Sequence, residues 1–112
     1  MSRSHLGEFE ELVLLVTGVL YENAYAVSIA HEIQAQTGRS VDVAAVHKTL
    51  YRLEEKGMLN SKLGDSEAKR GGKRKRLFFI TPYGKKALDE CMQVRVNLRA
   101  QIQQFAFKIQ RS

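Results

Sequence analysis

A single cysteine, Cys91, is all the thiol chemistry the sequence holds. No disulfide can close within the chain, and a reducing, cytoplasmic compartment fits. The three histidines (His5, His31, His47) and that cysteine have no metal-ligand spacing, so neither a metal site nor a cofactor is expected. Long apolar runs are missing as well. The longest, Leu12 to Val16, falls far short of the ~20 residues that span a bilayer. The acidic start (Glu8, Glu10, Glu11) is unlike a secretory signal, so no membrane partner is expected. No nucleophile–base pair and no phosphate-binding motif in strand–helix context can be found, which argues against an enzyme. His47, Lys48 and Tyr51 do share one helix, but no carboxylate is placed to orient them.

What the chain has is an uneven charge. Its 112 residues carry a net +6, and the length fits one domain with a modest core. Between Lys62 and Arg76 stand seven Lys/Arg and two acids, a local +5; the rest holds 11 bases against 10 acids, or +1. A neutral body with one cationic finger is suited to an anionic partner.

The stretch Val43 to Lys56 organises the remainder. Val43, Val46, Leu50 and Leu53 step by 3, 4 and 3, one face of a helix. Asp42 stands at its N-cap and Gly57 at its C-terminal stop. The opposite side carries Ala44, Ala45, His47, Lys48, Tyr51 and Arg52, and it is graded. Small residues and donors come first, whereas Glu54 and Glu55 end it. A helix that entered the DNA major groove by its N-terminal half would keep those carboxylates away from the phosphates. By itself the same pattern also fits an amphipathic helix with a solvated face.

Before it, Gly7 to about Glu22 predicts a first helix. Phe9, Leu12, Val13, Val16, Val19 and Leu20 lie on one broad face, widened by Leu14 and Leu15, and a face this wide needs cover on two sides. Asn23 and Ala24 are expected to turn the chain into a second helix, Tyr25 to Gln36, with Val27, Ile29, Ala30 and Ile33 inward and Gly38 as its stop. Helix, turn and second helix is the helix-turn-helix order.

After Gly57, Met58 to Leu63 and Arg76 to Thr81 are strand-like, around a loop containing Gly64, Gly71 and Gly72. Such a hairpin is a wing. Paired glycines let its tip approach a nucleic-acid backbone. Lys69, Arg70, Gly71, Gly72, Lys73, Arg74 and Lys75 are the candidate wing contacts, with Arg76 beside them. The same loop would also fit a charged segment without a partner. Which face of Leu77, Phe78, Phe79 and Ile80 is buried cannot be told from pattern.

Thr81 and Pro82 announce a last helix, a hydroxyl N-cap followed by proline at the first helical position. No proline or glycine follows Gly84, so this helix is expected to run to the end, about 46 Å. Leu88, Cys91, Arg95, Leu98, Ile102, Phe105 and Ile109 step alternately by 3 and 4, a heptad seam with one polar interruption at Arg95. Homodimerisation through that seam is the economical way to cover it, with packing inside the chain as the alternative. The expected fold is mainly α with a small β-hairpin. Residues 1–81 form a winged helix-turn-helix, and residues 82–112 form a long C-terminal dimerisation helix on the same compact unit.

These residues together resemble the PadR-like transcriptional regulators. The resemblance rests on Leu6-Gly7-Glu8-Phe9-Glu10 and Leu12-Val13-Leu14-Leu15, then Ala24-Tyr25-Ala26-Val27 with Glu32-Ile33. It continues through Ala45-Val46-His47, Leu53-Glu54-Glu55-Lys56-Gly57, Arg70-Gly71-Gly72-Lys73 and Thr81-Pro82-Tyr83-Gly84. It covers about residues 6 to 90. What it implies is a homodimeric winged-helix repressor on a palindromic operator of double-stranded DNA, with Ala44 to Arg52 reading the major groove and Arg70 to Lys75 forming the wing. Two positions depart from the family pattern: His47 stands where a DNA-contacting tyrosine is usual, and Ala26 replaces a glycine. With only one helix after the wing, the chain is similar to the family's short subgroup, in which a small-molecule effector would use the dimer interface. A winged helix also serves as a protein-docking module without a specific DNA target, and the concentrated +5 argues against that rival. RNA binding is disfavoured because the wing lacks aromatics that stack unpaired bases.

Overall fold

The computed structural model describes residues 5–64 and 74–103. Among them run α1 (Glu8–Val19), α2 (Ala26–Thr37), α3 (Val43–Glu55), β1 (Leu59–Leu63), β2 (Arg76–Ile80) and α4 (Pro82–Gln101). The strands pair antiparallel, from Leu59 opposite Ile80 to Leu63 opposite Arg76. Three helices, a hairpin and a trailing helix make this a winged helix, mainly α, as the pattern predicts.

The three helices pack about one core, to which α1 gives Val13, Leu14 and Val16, α2 gives Ile29 and Ile33, and α3 gives Val46, Leu50 and Leu53. Met58, Leu59 and Phe78 close it from the hairpin, and Ala87 and Leu88 from α4. The ambiguous apolar run of β2 resolves here: Phe78 is fully buried while its neighbours are half-buried. Its backbone N–H donates to the Ala24 carbonyl at 2.9 Å, joining the outer edge of β2 to the turn between α1 and α2.

Chain ends of the elements follow local chemistry. The Asp42 carboxylate accepts from the Ala44 N–H at the start of α3, and Gly38 (φ 74°) and Gly57 (φ 81°) take the left-handed conformation just past α2 and α3. The Thr81 hydroxyl accepts from the Gly84 N–H and donates to the Gly57 carbonyl, so α4 starts fastened to the end of α3.

Several boundaries differ from expectation. The first helix stops at Val19 rather than near Glu22, because a tight turn, closed by the Asn23 N–H on the Leu20 carbonyl, places Glu22 at φ 72°. Tyr25 precedes α2 as its N-cap, with the Ser28 hydroxyl accepting from the Tyr25 N–H. That start puts Ala26 inward with Ile29, Ala30 and Ile33, and leaves Val27 exposed. Met58 is core before β1 begins. The last helix does not run on: Ile102 leaves it with extended backbone (φ −71°, ψ 124°), and Phe105 and Ile109 lie outside the described residues.

Candidate nucleic-acid interface

The apolar stripe of α3 fixes which side of it faces out. With Val46, Leu50 and Leu53 buried, Ala44, His47, Lys48, Tyr51 and Arg52 are exposed and Ala45 is half-buried. Thr49 is buried with the stripe, which its place three residues after Val46 and four before Leu53 would have signalled. The His47 and Tyr51 rings stack with centroids 5.7 Å apart and planes at 13°. Tyr51 in turn meets the edge of core Phe78 at 5.9 Å. Two of the outward side chains are thus braced against the hydrophobic core, an arrangement that limits the rotamer freedom a contact would otherwise remove.

The hairpin is braced against the same helix. The Ser61 hydroxyl on β1 donates to the Glu54 carboxylate at 2.7 Å and accepts from the Arg76 guanidinium at 3.0 Å. Glu54 is thereby engaged behind the helix, on the wing strands. Of the wing contacts expected, Arg74 and Lys75 are exposed, whereas Lys69, Arg70, Gly71, Gly72 and Lys73 lie outside the described residues. The Lys75 ammonium sits 4.3 Å above the Tyr25 ring and donates to its hydroxyl at 3.2 Å. Tyr25, the cap of α2, is thus a neighbour of a candidate wing cation, one that residue type and spacing gave no reason to pick out. Lys62 lies 5.4 Å over the Phe79 ring on the hairpin. Exposed cations therefore stand on the helix (Lys48, Arg52) and just before β2 (Arg74, Lys75), with half-buried Arg76 opening the strand.

Behind this face, the first turn of α1 holds two glutamates that are only 7% exposed, Glu10 and Glu11. Carboxylates suit a helix N-terminus, and each finds a cation. Glu10 takes two hydrogen bonds from the Lys56 ammonium, at 2.9 and 3.0 Å, and one from the Gly7 N–H. Burial alone would raise the Glu10 carboxyl, but the Gly7 N–H and the Lys56 charge outweigh it and hold the pKa below its ordinary value. Glu10→Gln retains an acceptor for the Gly7 N–H and removes the ion pair. With Lys56 one-third exposed, the expected loss at pH 7 is about 1 kcal/mol of unfolding free energy. A carboxyl with a depressed folded pKa contributes stability that is complete above its unfolded pKa and is lost as pH falls through the folded one. The gap between wild type and variant should therefore begin to narrow on acidification below about pH 4.3. Denaturant titrations at pH 7 and pH 3 check this, and a gap as wide at pH 3 as at pH 7 would contradict it.

The expected seam on α4 divides. Leu88 is sealed in the chain's own core and Cys91 is half-buried, while Leu98 is 60% and Ile102 46% exposed. Arg95, the polar interruption, donates to both oxygens of Glu11 at 2.7 and 2.6 Å. The inner part of the stripe packs inside the chain, and the outer part is open. Among the described residues no cluster of His, Cys, Asp and Glu could hold a metal ion, and no helix is long and apolar enough to cross a membrane.

The fold recurs in solved structures. A PadR-like transcription factor from Bacteroides fragilis superposes with a TM-score of 0.70 at 21% identity, over 82% of this chain and 84% of that one. A PadR family regulator from Eggerthella lenta gives 0.66 at 22% identity, over 94% and 88%. Bacillus subtilis PadR in complex with operator DNA gives 0.63 at 15% identity, over 76% of this chain and 46% of that one. No curated protein matches the sequence. The model of the transcriptional regulator PadR-like family matches residues 14–90, which takes in α2, α3, the hairpin and the start of α4. Over that span, well beyond half the length, the sequence carries the family pattern, and the chain belongs to the PadR-like family of transcriptional regulators.

Proposed function

We propose that the chain is a cytoplasmic repressor that reads a palindromic operator in double-stranded DNA as a homodimer. The observation that carries this is the braced outward face. Ala44, Ala45, His47, Lys48, Tyr51 and Arg52 present small residues and donors from α3, and the basic hairpin is tied to the same helix through Glu54, Ser61 and Arg76. Small residues at the front of the helix permit close approach to base edges, and the hairpin cations supply phosphate contacts. The likeness to a PadR bound to operator DNA supports the same docking. Exposed Leu15 and Val19 on α1, with Met92, Val96 and Leu98 on α4 and Ile102 just past it, supply apolar surface for a second copy, and a small-molecule effector would enter at that interface.

A salt titration tests the reading. Changing Arg70, Lys73 and Arg74 to Ala should weaken binding to every duplex and flatten its salt dependence, each lost phosphate contact removing about 0.9 from the slope of log K against log salt. Lys48→Ala should instead erode discrimination between operator and random duplex, a base contact being worth about 1–3 kcal/mol. An unchanged slope in the first protein, or equal losses on both duplexes in the second, would overturn the assignment.

A further inference from the structure

The first turn of α1 sends its three carboxylates to three different places. Glu8 pairs with Arg39 in the connection between α2 and α3 (2.9 Å), Glu10 with Lys56 at the end of α3 (2.9 Å), and Glu11 with Arg95 on α4 (2.6 Å). One helical turn thus joins the segment leading into the DNA-facing helix, the end of that helix and the trailing helix. We propose that the Glu11–Arg95 pair is a positioning device for operator reading: it sets the angle at which α4 leaves the body, and so the separation of the two α3 helices in the dimer. The inference rests on the dimeric, DNA-binding reading above.

Energy is not what recommends the pair. The Arg95 side chain is 58% exposed while the Glu11 side chain is 10% exposed, and an ion pair with one such solvated partner adds little to stability. Its direction is what matters. The buried residues of α4 are Gly84, Ala87 and Leu88, and from Met92 onward every described residue of the helix is exposed. Apolar packing therefore grips α4 near its start, and Arg95 reaches back to α1 about 10 Å further along. Two short charge-assisted bonds to one carboxylate fix that point laterally. Without them, a tilt of roughly 10° about Leu88 would displace Ile102, about 21 Å out, by about 4 Å. Twofold symmetry applies the shift to both subunits, and base pairs are spaced by 3.4 Å along a strand. An error of this size in the arm is an error of a base pair or more in the operator.

The test uses the full chain and duplexes that it selects from a library of paired half-sites with variable spacers. Affinities for the selected spacer and for spacers longer or shorter by one and two base pairs give a spacing profile, each value referred to the affinity for a single half-site. Wild type should disfavour a one-base-pair change about tenfold or more. Arg95→Gln, which alters a solvated side chain, should compress that preference below about threefold while sedimentation still shows a dimer. The exchange of Glu11→Arg with Arg95→Glu should restore the profile, which a purely structural loss would not allow. Arg95→Gln dimers with the wild-type profile would overturn the positioning role. Wild type that binds half-sites and palindromes alike would overturn the dimeric reading instead, and with it the inference.

Discussion

Gly84→Ala is expected to destabilise the protein by about 3 kcal/mol, although alanine is the better helix former by about 1 kcal/mol in an exposed helix interior. Gly84 is buried in the first turn of α4, where an added Cβ would fall well inside van der Waals contact with the Met58 carbonyl and 3.1 Å from a methyl of Ile80. That carbonyl cannot turn aside freely, because it accepts from the Thr81 N–H at 3.1 Å. Either α4 lifts off the α3–β1 turn or that bond is lost, and overpacking against backbone is at the upper end of the usual 1–3 kcal/mol. Urea unfolding at a fixed protein concentration measures it, the concentration being held because a dimer's midpoint depends on it. A change under about 1 kcal/mol would mean that the helix is not seated on that carbonyl.

Leu98→Asp should abolish the dimer and leave the protomer folded. Leu98 is 60% exposed in the single chain, so the core loses nothing, whereas an interface through the outer half of α4 would bury two new charges at several kcal/mol each. The monomers should bind one half-site and lose the partner half-site about 34–36 Å away. Affinity for a palindrome would then approach that for an isolated half-site. Light scattering decides it: a variant that remains dimeric at micromolar concentration would show that this seam is not the interface.

The parts of the molecule that were legible in the sequence are those with a local cause. Asp42, Gly38, Gly57 and the Thr81–Pro82 pair stand at the element ends where they were read, because capping is decided within four residues. The inward face of α3 was legible from spacing alone. The buried glutamates were not. Glu10 and Glu11 stand in the sequence only as part of an acidic start, and their partners lie 46 and 84 residues away along the chain. No local pattern announces such a pairing. Arg95 looked like a flaw in an apolar seam for the same reason. The end of α4 misled differently, since its periodicity continues through Ile102 with neither glycine nor proline to break it. Past Arg95 every described residue of the helix is exposed, and the β-branched Val94 and Val96 flank that point. Helical order there rests on propensity, which is weak without packing.

The bond from the Phe78 N–H to the Ala24 carbonyl bears on how interchangeable the parts of such a protein are. A two-stranded hairpin is marginal alone, and this one borrows its third rung from a helix connection some fifty positions upstream. The hairpin is therefore not a cassette that can be exchanged freely between family members. A chimera that imports residues 59–80 onto a host whose 23–25 turn is shaped differently would bury an orphaned amide at Phe78, a penalty of about 1–3 kcal/mol. The edge of β2 would also lie open to pairing with another chain. Wing and turn have to be moved together, and the natural unit of exchange in this fold is discontinuous in sequence.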